Sequence, residues 1–290
     1  MKALAIDLGG TNLRAGLATA GAFEPQPLGR WPAPASLEAF RARVATLLAE
    51  SGATRLGVCI PGLARGTVCA WVPNLPFLDA VDLTALFPDV GIALGNDAQF
   101  ALLAEAAAGA ARETGNAILL AIGTGIGSAV LADGRILRGH GGGATSFGWA
   151  CADPDDPGDA AHGWLERIAA GAALDRVAIG MGLTDGRALV AAARDGDQAA
   201  RAALETPMRA LGTALAGAVA LTGSTRIIFA GGVADSVDVL GPMLRPALVR
   251  QLPPHLRGIG IAAGEFGPHA AIVGAGIAAH GHPIWVEDGS

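Results

Sequence analysis

The chain has 290 residues, enough for two domains with sizeable cores, and with aromatics at 4% those cores are built from Ala, Val, Leu and Ile. Lys and Arg number 20 against 26 Asp and Glu, a formal net charge of −6 with no basic stripe to track a phosphate backbone, so nucleic acid is excluded as a partner. Cys59, Cys69 and Cys151 are an odd set without C-x-x-C spacing, which predicts reduced thiols in a cytoplasmic protein rather than a disulfide frame or a thiolate metal site.

"MKALAIDLGG" has one Lys and a short apolar stretch broken by Asp7, the pattern of neither a signal nor a transit peptide, and the mature chain is expected to start here. "KALAIDL" and "RAGLAT" read as strands joined by a glycine turn. In that turn Gly9, Gly10, Thr11 and Asn12 let backbone N–H groups converge on an anion, because glycine tolerates positive φ and lacks a Cβ. Asp7 would repel a bare phosphate, so its place before the turn makes sense with a hydrated Mg2+ between them. The pairing implies a Mg-nucleotide; the plain alternative is an ordinary tight β-turn.

Helical "SLEAFRARVATLLAESG" follows, then strand-like "RLGVCIPG", the turn "PNLP" at Pro73 to Pro76, and strand-like "GIALGN". That last run delivers Asn96 and Asp97 to the start of helical "AQFALLAEAAAGAARETG". Spacing alone favours a helix cap there, since either side chain can accept from a first-turn N–H. The chemical alternative has Asp97 accept a hydroxyl proton while Asn96 bonds a neighbouring hydroxyl.

"GNAILLAIGTGIGSAVLA" (Gly115 to Ala132) carries no charge, and the positive mean hydropathy invites a membrane reading. Its four glycines, Thr124 and Ser128 instead predict two short buried strands hinged at Gly123, Thr124 and Gly125. The pattern echoes the first hairpin, as if two similar halves each opened on a glycine turn. Acidic "ADPDDPGDAAH", with Asp153, Asp155, Asp156 and Asp159, reads as a solvated loop ahead of a metal site, and His140 and His162 as surface residues. "TALAGAVALTG" is too short to span a bilayer and reads as a buried helix. In "RIIFAGGVADS", Gly231 and Gly232 form a third turn after a strand, where backbone can approach a flat base or ribose. Strand-like "GIGIAAG" and a helix around Ala270 to His280 close an α/β chain that has neither a Walker A pattern nor G-x-G-x-x-G after its first strand.

The set "DLGGTNLRAGL", "GVCIPG", "PNLP", "GNDAQFALLAE", "GTGIGSAVLADGRILRG", "GWLERIAAGAAL" and "IIFAGGV" resembles the ROK family of sugar kinases, within the actin-like ATPase superfamily, over nearly the whole chain. The family's repressor members carry an N-terminal helix-turn-helix extension, whereas here the kinase portion begins at Met1. The resemblance implies an actin-like, ribonuclease H-like two-domain fold with a cleft between the domains: 1–113 plus 270–290, and 114–269. It implies ATP and Mg2+ as cofactors, a small-molecule sugar as substrate, no membrane, and a homodimer as a common assembly. The implied reaction is phosphorylation of a hexose or hexose derivative at the 6-hydroxyl, with Asp97 as base, Asn74, Asn96, Asp97 and Glu166 on the sugar, and Asp7, Gly9, Gly10, Thr11, Asn12, Gly123, Thr124, Gly125, Gly231 and Gly232 on the nucleotide.

The chain departs from the family's A-G-E-x-G-H and C-x-C-G-x-x-G-C-L-E segments, reading "ATSFGW" and "PGDAAHGWLE". Ser146 replaces a sugar-binding Glu, Trp149 a His that touches sugar and zinc, and Pro157, Asp159 and Trp164 the three zinc cysteines. No zinc is therefore expected, since losing all the ligands together leaves no half-ligated site, and Trp149 and Trp164 are expected to supply the packing instead. A short Ser and an apolar Trp predict a preferred sugar that differs from glucose at C1 or C2: a ketose, a substituted amino sugar or one with a bulkier group. The alternatives are that other groups replace the lost pair and glucose remains the substrate, that the chain is a catalytically weakened sugar-binding regulator, or that it is an ATPase or acid-substrate kinase of the same superfamily.

Overall fold

The computed structural model describes residues 1–285, and the chain divides into two compact units. The first takes Met1–Glu113, Gly134–Ala144 and the chain from Pro268 onward; the second takes Thr114–Asp133 and Thr145–Gly267. The first unit runs β1 (Lys2–Leu8), β2 (Asn12–Thr19), β3 (Gln26–Pro32), α1 (Leu37–Ser51), β4 (Arg55–Ile60), β5 (Leu63–Arg65), β6 (Val68–Trp71), β7 (Val81–Asp82), α2 (Leu83–Leu86), β8 (Gly91–Asn96) and α3 (Asp97–Ala108). The second begins with β9 (Ala117–Ile122) and β10 (Ile126–Ala132); β11 (Arg135–Ile136) lies in the first unit's middle segment. The second then continues through α4 (Trp164–Ala169), α5 (Gly171–Gly180), α6 (Gly186–Arg194), α7 (Gln198–Thr222), β12 (Arg226–Ala230), α8 (Val237–Arg250) and β13 (Gly260–Ala263), and α9 (Ala270–Ala279) returns to the first.

In the first unit the sheet order is β3-β2-β1-β4-β8, with antiparallel pairing from β3 to β1 and parallel pairing from β1 to β8. Alternation assigns the faces of β1. Leu4, Ile6 and Leu8 join Phe40, Val44 and Leu47 of α1 in one core. Ala3 and Ala5 point the other way, toward α9, where Ala279 and Gly276 pack against them. Small residues let α9 sit close: a Cβ on Gly57 of β4 would lie 2.0 Å from Ala275 O, and one on Gly274 would lie 1.9 Å from Phe100 O of α3. Helix α9 is apolar all round and buried almost throughout, the pattern of a core helix. The register also puts Arg30, Arg14, Asp7, Cys59 and Gly95 in a single row across all five strands, on the α9 face.

The second unit repeats the plan. Antiparallel β10 and β9 are followed by parallel β12 and β13, so β10-β9-β12-β13 matches β2-β1-β4-β8 and the echo between the glycine hairpins is a topological one. Ile118, Leu120 and Ile122 of β9 pack into a core with residues of α4 through α8.

One expectation is corrected. "TALAGAVALTG" forms the last turns of α7, a 25-residue helix that buries one face only: Leu215, Ala216 and Val219 are inside, while Leu221 is 88% exposed. The sequence analysis assigns no element to Gln26–Pro32, where the structure has β3; its Pro27 and Pro32 are accommodated because at an edge a strand tolerates proline's missing donor. Among the described residues no helix is long and apolar enough to cross a membrane.

Because a methyl at Gly274 must displace backbone rather than a flexible side chain, Gly274→Ala is expected to destabilise the protein by about 3 kcal/mol, the upper part of the usual overpacking range. Urea unfolding measures this; a change under about 0.5 kcal/mol, the level of a surface substitution, would mean that α9 is not held at this distance.

Candidate active site

The first hairpin closes with Gly9 N donating to Asn12 O at 2.8 Å. Asp7, Gly9, Gly10, Thr11 and Asn12 then line one polar cavity of about 290 Å³, together with Arg14 and Arg30, which the sequence reading did not single out. Asp7 is only 8% exposed, and its charge is met by Arg14, directly opposite on β2, at 2.5 Å. Arg14 Nη1 also donates to Pro268 O at 3.0 Å, and Arg30 Nε donates to Asn12 Oδ1 at 3.1 Å. Asn74 is brought to this loop: its Cβ lies 3.0 Å from where a Cβ on Gly10 would stand.

The turn from β8 to α3 serves two ends. Asn96 is the N-cap of α3: its Oδ1 accepts from Gln99 N at 2.7 Å, while Gln99 Oε1 accepts from Asn96 N at 3.5 Å, a capping box. Asp97 is not the cap. Its Oδ1 accepts from Ala98 N at 2.8 Å, and Oδ2 has no partner among the described residues. Asp97 is solvent-accessible, so a substrate can reach it, yet enough protein surrounds it that lost hydration raises its pKa; the Ala98 N–H opposes this and the negative charge of Asp7 adds to it. Cys59, buried and close to both acids, has its thiol pushed well above the usual range by burial first and by those charges second, so it stays neutral beside Asp7. Behind the turn, Phe100 and Trp285 pack with ring centroids 4.7 Å apart, and a Cβ on Gly95 would lie 2.7 Å from each ring.

In the second unit Gly123, Thr124 and Gly232 line a cavity of about 230 Å³ whose walls also include Leu174, Asp175, Arg187, Val190 and Val233. The β9–β10 turn is fixed against α5, since Gly171 N donates to Gly123 O at 2.8 Å. Gly231 adopts φ +74°, a left-handed turn at the end of β12 that favours glycine. Gly125 and Gly231 do not line this cavity: Gly231 backs onto Ile122, and Gly125 faces Glu166. No motif marks Leu174, Asp175 or Arg187, which come from two helices and meet only in the fold.

Glu166 is half-buried at the N-terminus of α4. Its Oε1 accepts from Ile126 N at 2.9 Å and its Oε2 from Gly163 N at 3.3 Å, so the carboxylate ties the second hairpin to α4. In the rebuilt loop Ser146 is exposed and Trp149 is 51% exposed. Trp164 joins the core as expected, but Trp149 supplies no such packing. The loop is held instead by Thr145, at φ +88°, and Ser128, each hydroxyl donating to the other's carbonyl, with Thr145 Oγ1 2.6 Å from Ser128 O. The acidic run caps its own turns: Asp159 Oδ1 accepts from Ala161 N and His162 N, Asp156 Oδ1 from Gly158 N, and Asp156 pairs with Arg167 at 2.6 Å. Hydrogen bonds, from the Arg167 side chain for Asp156 and from backbone N–H groups for Asp159, lower both pKa values. His140 and His162 are exposed. Among the described residues no group of three or more His, Cys, Asp or Glu side chains is arranged to hold a metal ion. A carboxylate already paired with a guanidinium does not hold a divalent cation alone, so Asp7 fits Mg2+ delivered with a nucleotide's phosphates and met through water.

The ROK family model matches residues 3–282. N-acetylmannosamine kinase of Escherichia coli O9:H4 (strain HS) is 28% identical over 98% of this chain and 100% of its own length. The ROK hexokinase from Thermus thermophilus superposes with a TM-score of 0.79 at 27% identity, covering 97% of this chain and 98% of that one. A ROK family glucokinase from Streptomyces griseus, solved with glucose and AMPPNP, gives 0.75 at 23% identity, covering 97% and 99%. The likeness shows the actin-like two-domain fold.

A carboxyl with a raised folded pKa contributes stability that is present below the ordinary Asp value of 3.8 and is lost as pH rises through the folded value. At neutral pH the Asp97 charge therefore costs stability. Asp97→Asn, which keeps an acceptor for Ala98 N, is expected to melt higher than the parent at pH 7.5, with the gain shrinking toward pH 4.5. Thermal melts at both pH values measure it, and a lower-melting variant at pH 7.5 would contradict the assigned environment.

Proposed function

The chain belongs to the ROK family and is an ATP-dependent sugar kinase, and from that premise we propose that it phosphorylates a 2-acylamino hexose, N-acetylmannosamine first, at the 6-hydroxyl with Asp97 as base. The observation that carries this reading is the accessible Asp97 carboxylate, whose Oδ2 is uncommitted, in the neighbourhood of Asp7. Phosphoryl transfer asks the protein for alignment, charge stabilisation and one base rather than covalent chemistry. As the sugar O6–phosphorus bond forms and the bond to the β,γ-bridging oxygen breaks, the hydroxyl proton passes to Asp97 Oδ2 and ADP leaves. Mg2+ bound with ATP would neutralise phosphate charge, and Asp7 is the residue that would hold it, through water. Gly9 to Asn12 cradle phosphate, while Gly123, Thr124 and Gly232 meet the nucleotide from the second cavity and Gly125 and Gly231 only shape the turns that carry them.

Asn74, Asn96 and Glu166 are the sugar contacts in this reading. Asn96 Oδ1 is committed to the cap, which leaves its Nδ2 as donor. Glu166 accepts one backbone N–H on each oxygen and keeps a second lone pair on each for a sugar hydroxyl. The choice at C2 is supported by the exposed Ser146 and Trp149, a short side chain and an apolar face, and by the likeness to the N-acetylmannosamine kinase of E. coli.

The test is ADP release with glucose, mannose, fructose, glucosamine, N-acetylglucosamine and N-acetylmannosamine. N-acetylmannosamine is expected to give the highest kcat/KM. A missing hydrogen bond to a buried hydroxyl costs about 1–3 kcal/mol, roughly ten- to a hundred-fold in discrimination, so a glucose preference beyond about a hundred-fold would overturn the substrate reading. ADP release independent of any sugar would mark an ATPase, and none with any sugar a sugar-binding regulator.

A further inference from the structure

The row Arg30–Arg14–Asp7 on three adjacent strands sets two guanidinium groups against one carboxylate beside the first glycine turn. Directly opposite residues of antiparallel strands share a face, so the row is a continuous charged ladder. The two arginines are differently engaged. Arg14 is committed, to Asp7 at 2.5 Å and to Pro268 O at 3.0 Å. Arg30 is held only through Nε, which donates to Asn12 Oδ1 at 3.1 Å, and its Nη donors have no partner among the described residues. Asn12 thus fixes the stem end of the guanidinium and leaves the planar Nη edge open. The register of β2 on β3 slips between Ala15 and Gly16, next to the row, and such an irregularity adds twist that re-aims neighbouring side chains. Both arginines line the cavity of about 290 Å³ formed with Gly9, Gly10 and Thr11.

A cavity with a glycine turn on one side and an uncommitted guanidinium edge on another fits a phosphoryl group, which the planar fork of Arg binds through two parallel N–H donors. We propose that Arg30 is a further catalytic residue of the kinase, binding the terminal phosphoryl group of ATP in the first loop, with Asn12 presenting it and Arg14 kept from that task by Asp7. The inference rests on the kinase reading above. A sugar phosphate product carries the same chemistry, and the experiment separates the two sources.

Calorimetry with Mg-AMPPNP, Mg-ADP and the 6-phosphate of the sugar turned over is run on the parent, Arg30→Ala, Arg30→Gln and Arg30→Lys, with melting temperatures alongside. Arg30 is exposed on an edge strand, so all three variants are expected to fold. Arg30→Ala and Arg30→Gln should bind AMPPNP at least ten-fold more weakly while ADP stays within two-fold, with kcat reduced at saturating ATP and part of both recovered in Arg30→Lys. Equal losses for AMPPNP and ADP, no loss at all, or a loss confined to the sugar phosphate would each overturn the assignment. A failure of the kinase reading shows separately, as a parent protein that binds nucleotide but phosphorylates no sugar.

Discussion

The ion pair between Asp7 and Arg14 is the interaction on which the candidate site depends. Asp7 stands on β1 in a face otherwise made of Ala3 and Ala5 against α9, a setting in which an unpaired carboxylate would lose hydration without compensation. Hairpin pairing puts Arg14 directly opposite, so the fold supplies the counter-charge as soon as β1 and β2 pair. Arg14 then reaches Pro268 O, just before α9, and ties the returning C-terminal segment to the first hairpin. The negative charge kept in this way acts on its neighbours, contributing to the raised pKa values of Asp97 and Cys59.

The apolar scaffold behind that row fixes where its groups can sit. Gly57 and Gly274 let α9 approach β4 and α3 to backbone contact, and any side chain there would push the sheet and the Asp97 helix apart. At the other end of the row, Gly95 makes room for Phe100 and Trp285, which support the turn that carries Asn96 and Asp97. Packing of this kind leaves few alternative positions for the Asp97 carboxylate, and the proposed role as base demands that, because a general base has to stand within hydrogen-bond reach of the proton it takes.

Much of this was legible in the sequence, and the reason is locality. Glycine turns between apolar runs announce hairpins, and "ND" between a strand and a helix announces a cap; Asn96 is the cap, while Asp97 stands beside it with one oxygen open. What stayed hidden depends on pairing between distant segments. Arg14 and Arg30 are unremarkable in "NLRAGL" and "PLGRWP" until β2 lies between β1 and β3. Trp285 sits 190 positions beyond Gly95, and nothing in either stretch predicts that they touch. Trp149 departs from expectation for the converse reason: a large apolar side chain is expected inside, but the loop here is closed by Ser128 and Thr145 and leaves the indole outside.

The central claim is that Asp97 is the base of a sugar kinase, and turnover of Asp97→Asn set beside its nucleotide affinity tests it most directly. Removing a positioned base costs on the order of 10²–10⁴ in rate, so the variant is expected to lose that much kcat with the preferred sugar while Mg-ATP affinity stays within a few-fold of the parent. A variant that turns over within a few-fold of the parent would contradict the account.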